Sequence, residues 1–77
     1  MDEIDKNFIK AIIEKLKERL ERNLSTEEFN TFSMLRSGIA YEMILDFISD
    51  QDKSKKEIQS YVQNVVNENK KTTHNNV

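Results

Sequence analysis

The chain has 77 residues, with 12 Lys and Arg against 14 Asp and Glu and a formal charge of −2, a balance that leaves no global field to draw in nucleic acid or an anionic membrane. It has no cysteine, which excludes disulfides and thiolate metal sites. A chain this short buries only about 60% of its unfolded surface and usually needs such reinforcement, so association with a second chain is the remaining means.

With no proline and a single glycine, Gly38, the sequence lacks the turn residues that hairpins demand, and the fold class is read as all-α. The start, Met1-Asp2-Glu3-Ile4-Asp5, is acidic and has no basic region leading into an apolar run. No apolar stretch approaches the roughly 20 residues that cross a bilayer, so the expectation is a cytoplasmic protein without membrane attachment.

The first predicted helix covers about residues 3–22. Ile4, Phe8, Ile9, Ile12, Ile13, Leu16 and Leu20 recur at spacings of three and four, the period of one helix face. Its other side offers Lys10 with Glu14, Lys17 with Glu21 and Glu18 with Arg22, each four apart, and reads as a solvated face. Asn23-Leu24 makes a break. Ser25 then stands three residues before Glu28, the capping-box spacing that opens a helix.

That second helix is expected over 26–49 and to fade into the polar stretch Asp50-Gln51-Asp52-Lys53. Ser54 and Glu57 repeat the capping spacing, and Ile58, Tyr61, Val62, Val65 and Val66 predict a third helix over 55–67. From about Asn67 the chain offers no apolar face. The domain is therefore placed at 1–69, and 70–77 is expected to be a disordered polar tail that holds the one histidine, His74. The architecture predicted is a three-helix bundle, or a helical hairpin plus a third helix, completed by homodimerisation.

The middle segment carries that last expectation. Projected at about 100° per residue, Phe29, Phe32, Ile39, Met43 and Phe47 cluster on one side, while Met34, Tyr41, Ile44, Leu45 and Ile48 fall well round from them. A surface helix usually shows a single stripe, so this one needs cover on more than one side. Between the two sectors runs a narrow strip of Ser33, Ser37, Ala40 and Ile44. The strip suits close approach by another helix, either one from the same chain or a second copy across a two-fold axis.

Arg36 falls within the apolar arc and needs a partner. Its stem lies along the core with its head reaching solvent or a glutamate of the first helix, or it anchors an interface. Gly38, read as mid-helix, implies either a close backbone contact or a mild kink. The candidate interface residues are thus Ser33, Met34, Arg36, Ser37, Ala40, Tyr41, Ile44 and Ile48.

No catalytic arrangement is found. There is no His-Glu-x-x-His pattern, phosphate-cradling glycine loop or spaced acidic calcium loop. Glu27 and Glu28 are explained by a helix N-terminus, and Asp46 and Asp50 by a helix end. Asn23-Leu24-Ser25 matches a glycosylation triplet, which without a secretion signal is read as chance. No cofactor and no metal are expected.

The functional expectation is a small non-enzymatic protein–protein interaction module, a homodimeric regulator or inhibitor that binds a larger protein. The alternative is a nucleic-acid-binding regulator using the third helix and its flanks, through Lys53, Lys55, Lys56, Gln59, Gln63, Lys70 and Lys71. Those lysines sit only at the ends of an otherwise uncharged polar face, which weakens it.

Overall fold

The computed structural model describes residues 3–75, and side chains as far as Lys70. Among these there are four α-helices and no strand: α1 (Glu3–Leu20), α2 (Thr26–Phe32), α3 (Gly38–Ser49) and α4 (Lys55–Asn75). The all-α expectation is met, but the count of three is corrected to four, because the helix expected over 26–49 is two. The last helix, expected to end near Asn67, continues to Asn75. The side chains from Lys71 onward, His74 among them, lie outside the described residues, as does the far end of the expected tail.

α1 forms as its periodicity predicts and buries Ile12, Ile13, Leu16 and Leu20. Acidic Glu3 and Asp5 occupy its first turn and basic Lys17 and Arg19 its last, the arrangement that the helix dipole favours. It stops at Glu21, whose φ of 55° is the left-handed conformation that commonly closes a helix.

Ser25 then opens α2 with a complete capping box: its hydroxyl accepts from the Glu28 amide at 3.1 Å, and the Glu28 carboxylate accepts from the Ser25 amide at 2.9 Å. Glu28 also receives both terminal nitrogens of Arg22, at 2.8 and 3.0 Å. Arg22 therefore pairs across the loop with Glu28 and not, as the spacing predicted, with Glu18. Likewise Glu21 faces Lys55 of α4 at 3.7 Å, in place of the predicted Lys17.

The break between α2 and α3 has identifiable causes. Ser37 is the N-cap of α3, its hydroxyl accepting from the Ala40 amide at 3.2 Å. The Arg36 guanidinium donates to the carbonyls of Thr31 at 2.8 Å and Met34 at 3.1 Å, satisfying acceptors that a continuous helix would have bonded internally. The Arg36 amide in turn donates to the Tyr41 hydroxyl at 2.9 Å, so the corner is tied to the core. Gly38 is the first residue of α3, neither mid-helix nor in close contact: a Cβ there would meet nothing within 4 Å.

The core joins the four α1 residues to Phe32 of α2, Tyr41, Ile44 and Ile48 of α3, and Ile58, Val62 and Val66 of α4. Tyr41 stacks on Phe8 at 5.2 Å between centroids, and Phe47 stacks on Tyr61 at 4.3 Å.

One arginine closes the far end. Arg19 of α1 donates to the carbonyls of Ile48 at 3.0 Å and Asp50 at 2.7 Å, and also to that of Lys53. Phe8 beside Tyr41 and Arg19 beside Ile48 show that α1 and α3 lie side by side and run the same way. Arg19 thereby supplies the positive charge that the C-terminal turn of α3, which has no basic residue of its own, would otherwise lack.

Candidate interaction surface

The sequence-level candidates separate once the middle segment bends. Tyr41, Ile44 and Ile48 are 0, 8 and 0% exposed and belong to the core of this chain, so as interface residues they are corrected. Ser33 is the C-cap of α2 and Ser37 the N-cap of α3. The strip of Ser33, Ser37, Ala40 and Ile44 is therefore not one flat helix surface, because its first two members belong to a corner and its last points inward. Ser33 places its hydroxyl out of solvent without a hydrogen-bond partner, beside the shallow groove formed with Lys6, Ile9 and Phe29.

Arg36 is half-buried and structural. Besides the two carbonyls, its guanidinium lies 5.9 Å from the Phe32 ring centre, within the range of a cation–π contact. Burial lowers its pKa from the ordinary value, an effect opposed by the nearby hydroxyls of Tyr41 and Tyr61. Burial correspondingly raises that of Tyr61, opposed by Arg36. A guanidinium keeps its charge under such a shift. Its stem does lie along the core, but its head is spent on backbone carbonyls and not on solvent.

The large apolar side chains that remain exposed include only Met34 from the expected set. Leu35, Ile39 and Met43 are 64, 71 and 66% exposed, as is Ile4 at the start of α1 at 63%, with Met34 and Phe29 less so. Ile39 and Met43 lie four apart on α3, and on a wheel of about 100° per residue they point away from the face that buries Tyr41, Ile44 and Ile48. α3 is thus apolar on two opposite sides, and the described residues cover only one of them. The apolar surplus read from the sequence is real for α3, whereas for 29–37 the wide arc was an artefact of projecting a corner as a straight helix.

Charge around this ridge is one-sided. From Ser37 to Asp52 the chain carries Glu42, Asp46, Asp50 and Asp52 and no lysine or arginine. Glu42 and Asp46 are exposed and pair with no cation among the described residues. The sequence carried part of the signal, an apolar dodecamer with acidic residues only, opened by Ser37-Gly38, but not which of its sides would stay uncovered.

The residues proposed for nucleic acid are largely engaged within the chain. Lys55 faces Glu21 at 3.7 Å, Lys70 faces Glu27 at 2.9 Å, and Lys53 lies 5.1 Å above the Phe47 ring. Gln59 accepts from Arg22 at 2.6 Å and Gln63 donates to Asn67 at 3.3 Å. Lys56 borders a shallow groove with Phe47 and Tyr61, and the Lys71 side chain lies outside the described residues. The structure does not gather them into one basic stripe.

Elsewhere, the described residues contain no group of three or more His, Cys, Asp or Glu placed to hold a metal ion, and no helix long and apolar enough to cross a membrane. The outward side of α3 exposes two large apolar side chains, Ile39 and Met43, four residues apart on one helix. Comparison with known proteins adds no identity to it: no protein-family model matches the chain, and no curated protein or solved structure is significantly similar to it.

Proposed function

We propose that the chain is a small non-enzymatic protein-binding module that presents the outward side of α3 to another protein, as a regulator or inhibitor of a larger partner would. The observation that carries this reading is the exposure of Ile39 and Met43, at 71 and 66%, on a helix whose opposite face is already packed. Two adjacent large apolar side chains in water cost roughly 1.5–3 kcal/mol each relative to burial, and contiguous exposed patches of this kind mark interaction sites.

Homodimerisation through α3, the simplest way to cover the ridge, has less support than the sequence alone suggested. Each copy would bring net negative charge to a two-fold contact, with Glu42 and Asp46 beside the ridge and no lysine or arginine from Ser37 to Asp52, and that charge opposes assembly.

Site-specific photo-crosslinking tests the reading. A benzophenone amino acid at Met43, introduced into the native host, is expected to give a discrete covalent adduct. The same group at Glu14, on the exposed side of α1, is expected to give none. Adducts at Glu14 but not at Met43 would sink the assignment of this face.

A further inference from the structure

Resting on that reading, we infer that the ridge on α3 takes one kind of occupant: a basic amphipathic helix, with apolar residues facing Ile39 and Met43 and lysines or arginines along its flank. Glu42 and Asp46 lie on one side of the Ile39–Met43 ridge when α3 is projected at about 100° per residue, and Asp50 and Asp52 follow at its end. The four carboxylates lie within sixteen residues that hold no cation. An apolar stripe edged by uncompensated negative charge is complementary to a stripe edged by positive charge.

Local stability accounts for Asp50, whose carboxylate accepts from the Asp52 amide at 2.9 Å, but not for Glu42 and Asp46. α3 has no acidic residue in its first turn and no basic residue in its last. Asp46 and Asp50 instead stand at the end where the helix dipole disfavours negative charge. α1 has the opposite, favourable arrangement, so the chain is capable of it. Asp46 is placed at a cost to the helix, and neither it nor Glu42 pairs with a cation among the described residues.

A second copy does not fit so well. Packing α3 on α3 brings net negative charge from both copies to one contact, and Lys55 and Lys70 of α4 are drawn toward Glu21 and Glu27. The ridge of Ile39 and Met43 spans about one helical turn of α3, with Leu35 in the corner before it. Contact of that extent belongs to the small, transient class of interfaces, in which charge chiefly sets on-rate and selectivity.

The test uses the full chain and two fluorescent helical peptides of about 18 residues, long enough to cover the ridge. Both carry leucine at helical spacing; one bears lysine at every other position and the other glutamate. Anisotropy is expected to show binding of the leucine–lysine peptide, at least roughly tenfold weaker binding of the leucine–glutamate peptide, and a loss of the difference as salt screens the pair. Glu42→Lys with Asp46→Lys should reverse the preference. Ile39→Ser with Met43→Ser should abolish binding of both. All four positions are exposed, and an unchanged thermal melt confirms that each variant is folded.

Equal binding of both peptides, lost in Ile39→Ser with Met43→Ser, overturns the inference while leaving α3 as a docking face. Binding of the basic peptide that survives both double variants overturns it by placing the peptide elsewhere. Failure of both peptides to bind also overturns it, and the crosslink at Met43 then decides the broader reading separately. A dimer in light scattering that Ile39→Ser with Met43→Ser dissociates makes a second copy the occupant, and overturns it as well.

Discussion

α1 and α3 lie side by side, yet they are built on different terms. α1 has one apolar face, buried at Ile12, Ile13, Leu16 and Leu20 although Ile4 near its start is 63% exposed; acidic residues stand in its first turn and basic ones in its last; its C-terminal arginine holds three carbonyls of the neighbouring chain segment. α3 has apolar residues on both faces, charges set against its dipole, and an end stabilised by a side chain from α1. The first helix can be accounted for by folding alone. The second satisfies folding with its inner face and leaves its outer face uncovered by the described residues, and the proposed binding role rests on that face.

The sharpest way to break this contrast is to cut each face of α3 in turn. Tyr41→Ala removes a fully buried ring that stacks on Phe8 and whose hydroxyl accepts from Arg36. It should cost about 3–5 kcal/mol, a large share of the roughly 4–12 kcal/mol that a chain of this length holds. Met43→Ala, on the outer face, should move a urea-denaturation midpoint by no more than the equivalent of about 0.5 kcal/mol. If the two variants lose comparable stability, Met43 is packed and the outer face is not free.

Next in size is the service that α1 renders to α3. Arg19→Ala strips the hydrogen bonds from the carbonyls of Ile48, Asp50 and Lys53, and should cost about 2–3 kcal/mol. Arg19→Lys should recover only part of it, since an ammonium lacks the planar fork. Hydrogen exchange would locate the loss at the end of α3 and in the loop before α4.

A smaller effect should be visible in acid. The Arg22 guanidinium, hydrogen-bonded to Glu28, holds that carboxyl below its ordinary value of 4.5; burial opposes this, and the Ser25 amide reinforces it. The native state therefore prefers the charged form more than the unfolded state does. The stability so gained is in full force above the ordinary value and is lost as pH falls below about 4.5 toward the depressed native value. Glu28→Gln keeps a residue suited to the capping box but removes the titration. Its denaturation midpoint should start lower at neutral pH and fall less between pH 6 and 3, on the scale set by that ordinary value. A parallel decline in both proteins would refute the role of this carboxyl.

The smallest predicted change is a gain. Gly38 has no positive φ, and a Cβ there would meet nothing within 4 Å. Gly38→Ala should thus stabilise by about 0.5 kcal/mol through the unfolded chain. Were it to destabilise, the corner between α2 and α3 would need freedom that its backbone does not show.

Much of this molecule was legible from residue order alone. The helical class follows from the lack of proline and the paucity of glycine. The buried faces of α1 and α4 follow from spacings of three and four, and the start of α2 follows from Ser25 and Glu28, because capping and periodicity are local and act between residues close in sequence. The corner at Ser33–Ser37 was also local in its signals, Ser37 at a cap and Gly38 behind it. No carboxylate follows at the third position, however, and a helix-long run of apolar residues masked the break.

Tertiary structure alone decided how the polar groups pair and which apolar residues are left over. Arg19 finds carbonyls some thirty residues away, Arg22 reaches Glu28 and Gln59, and Arg36 turns back to close α2. Long side chains choose partners by proximity in space, which sequence spacing fixes only within a straight helix. For the same reason the surplus of apolar surface was countable in advance, while its location on Leu35, Ile39 and Met43 was not: a single bend changes the phase of every side chain that follows it.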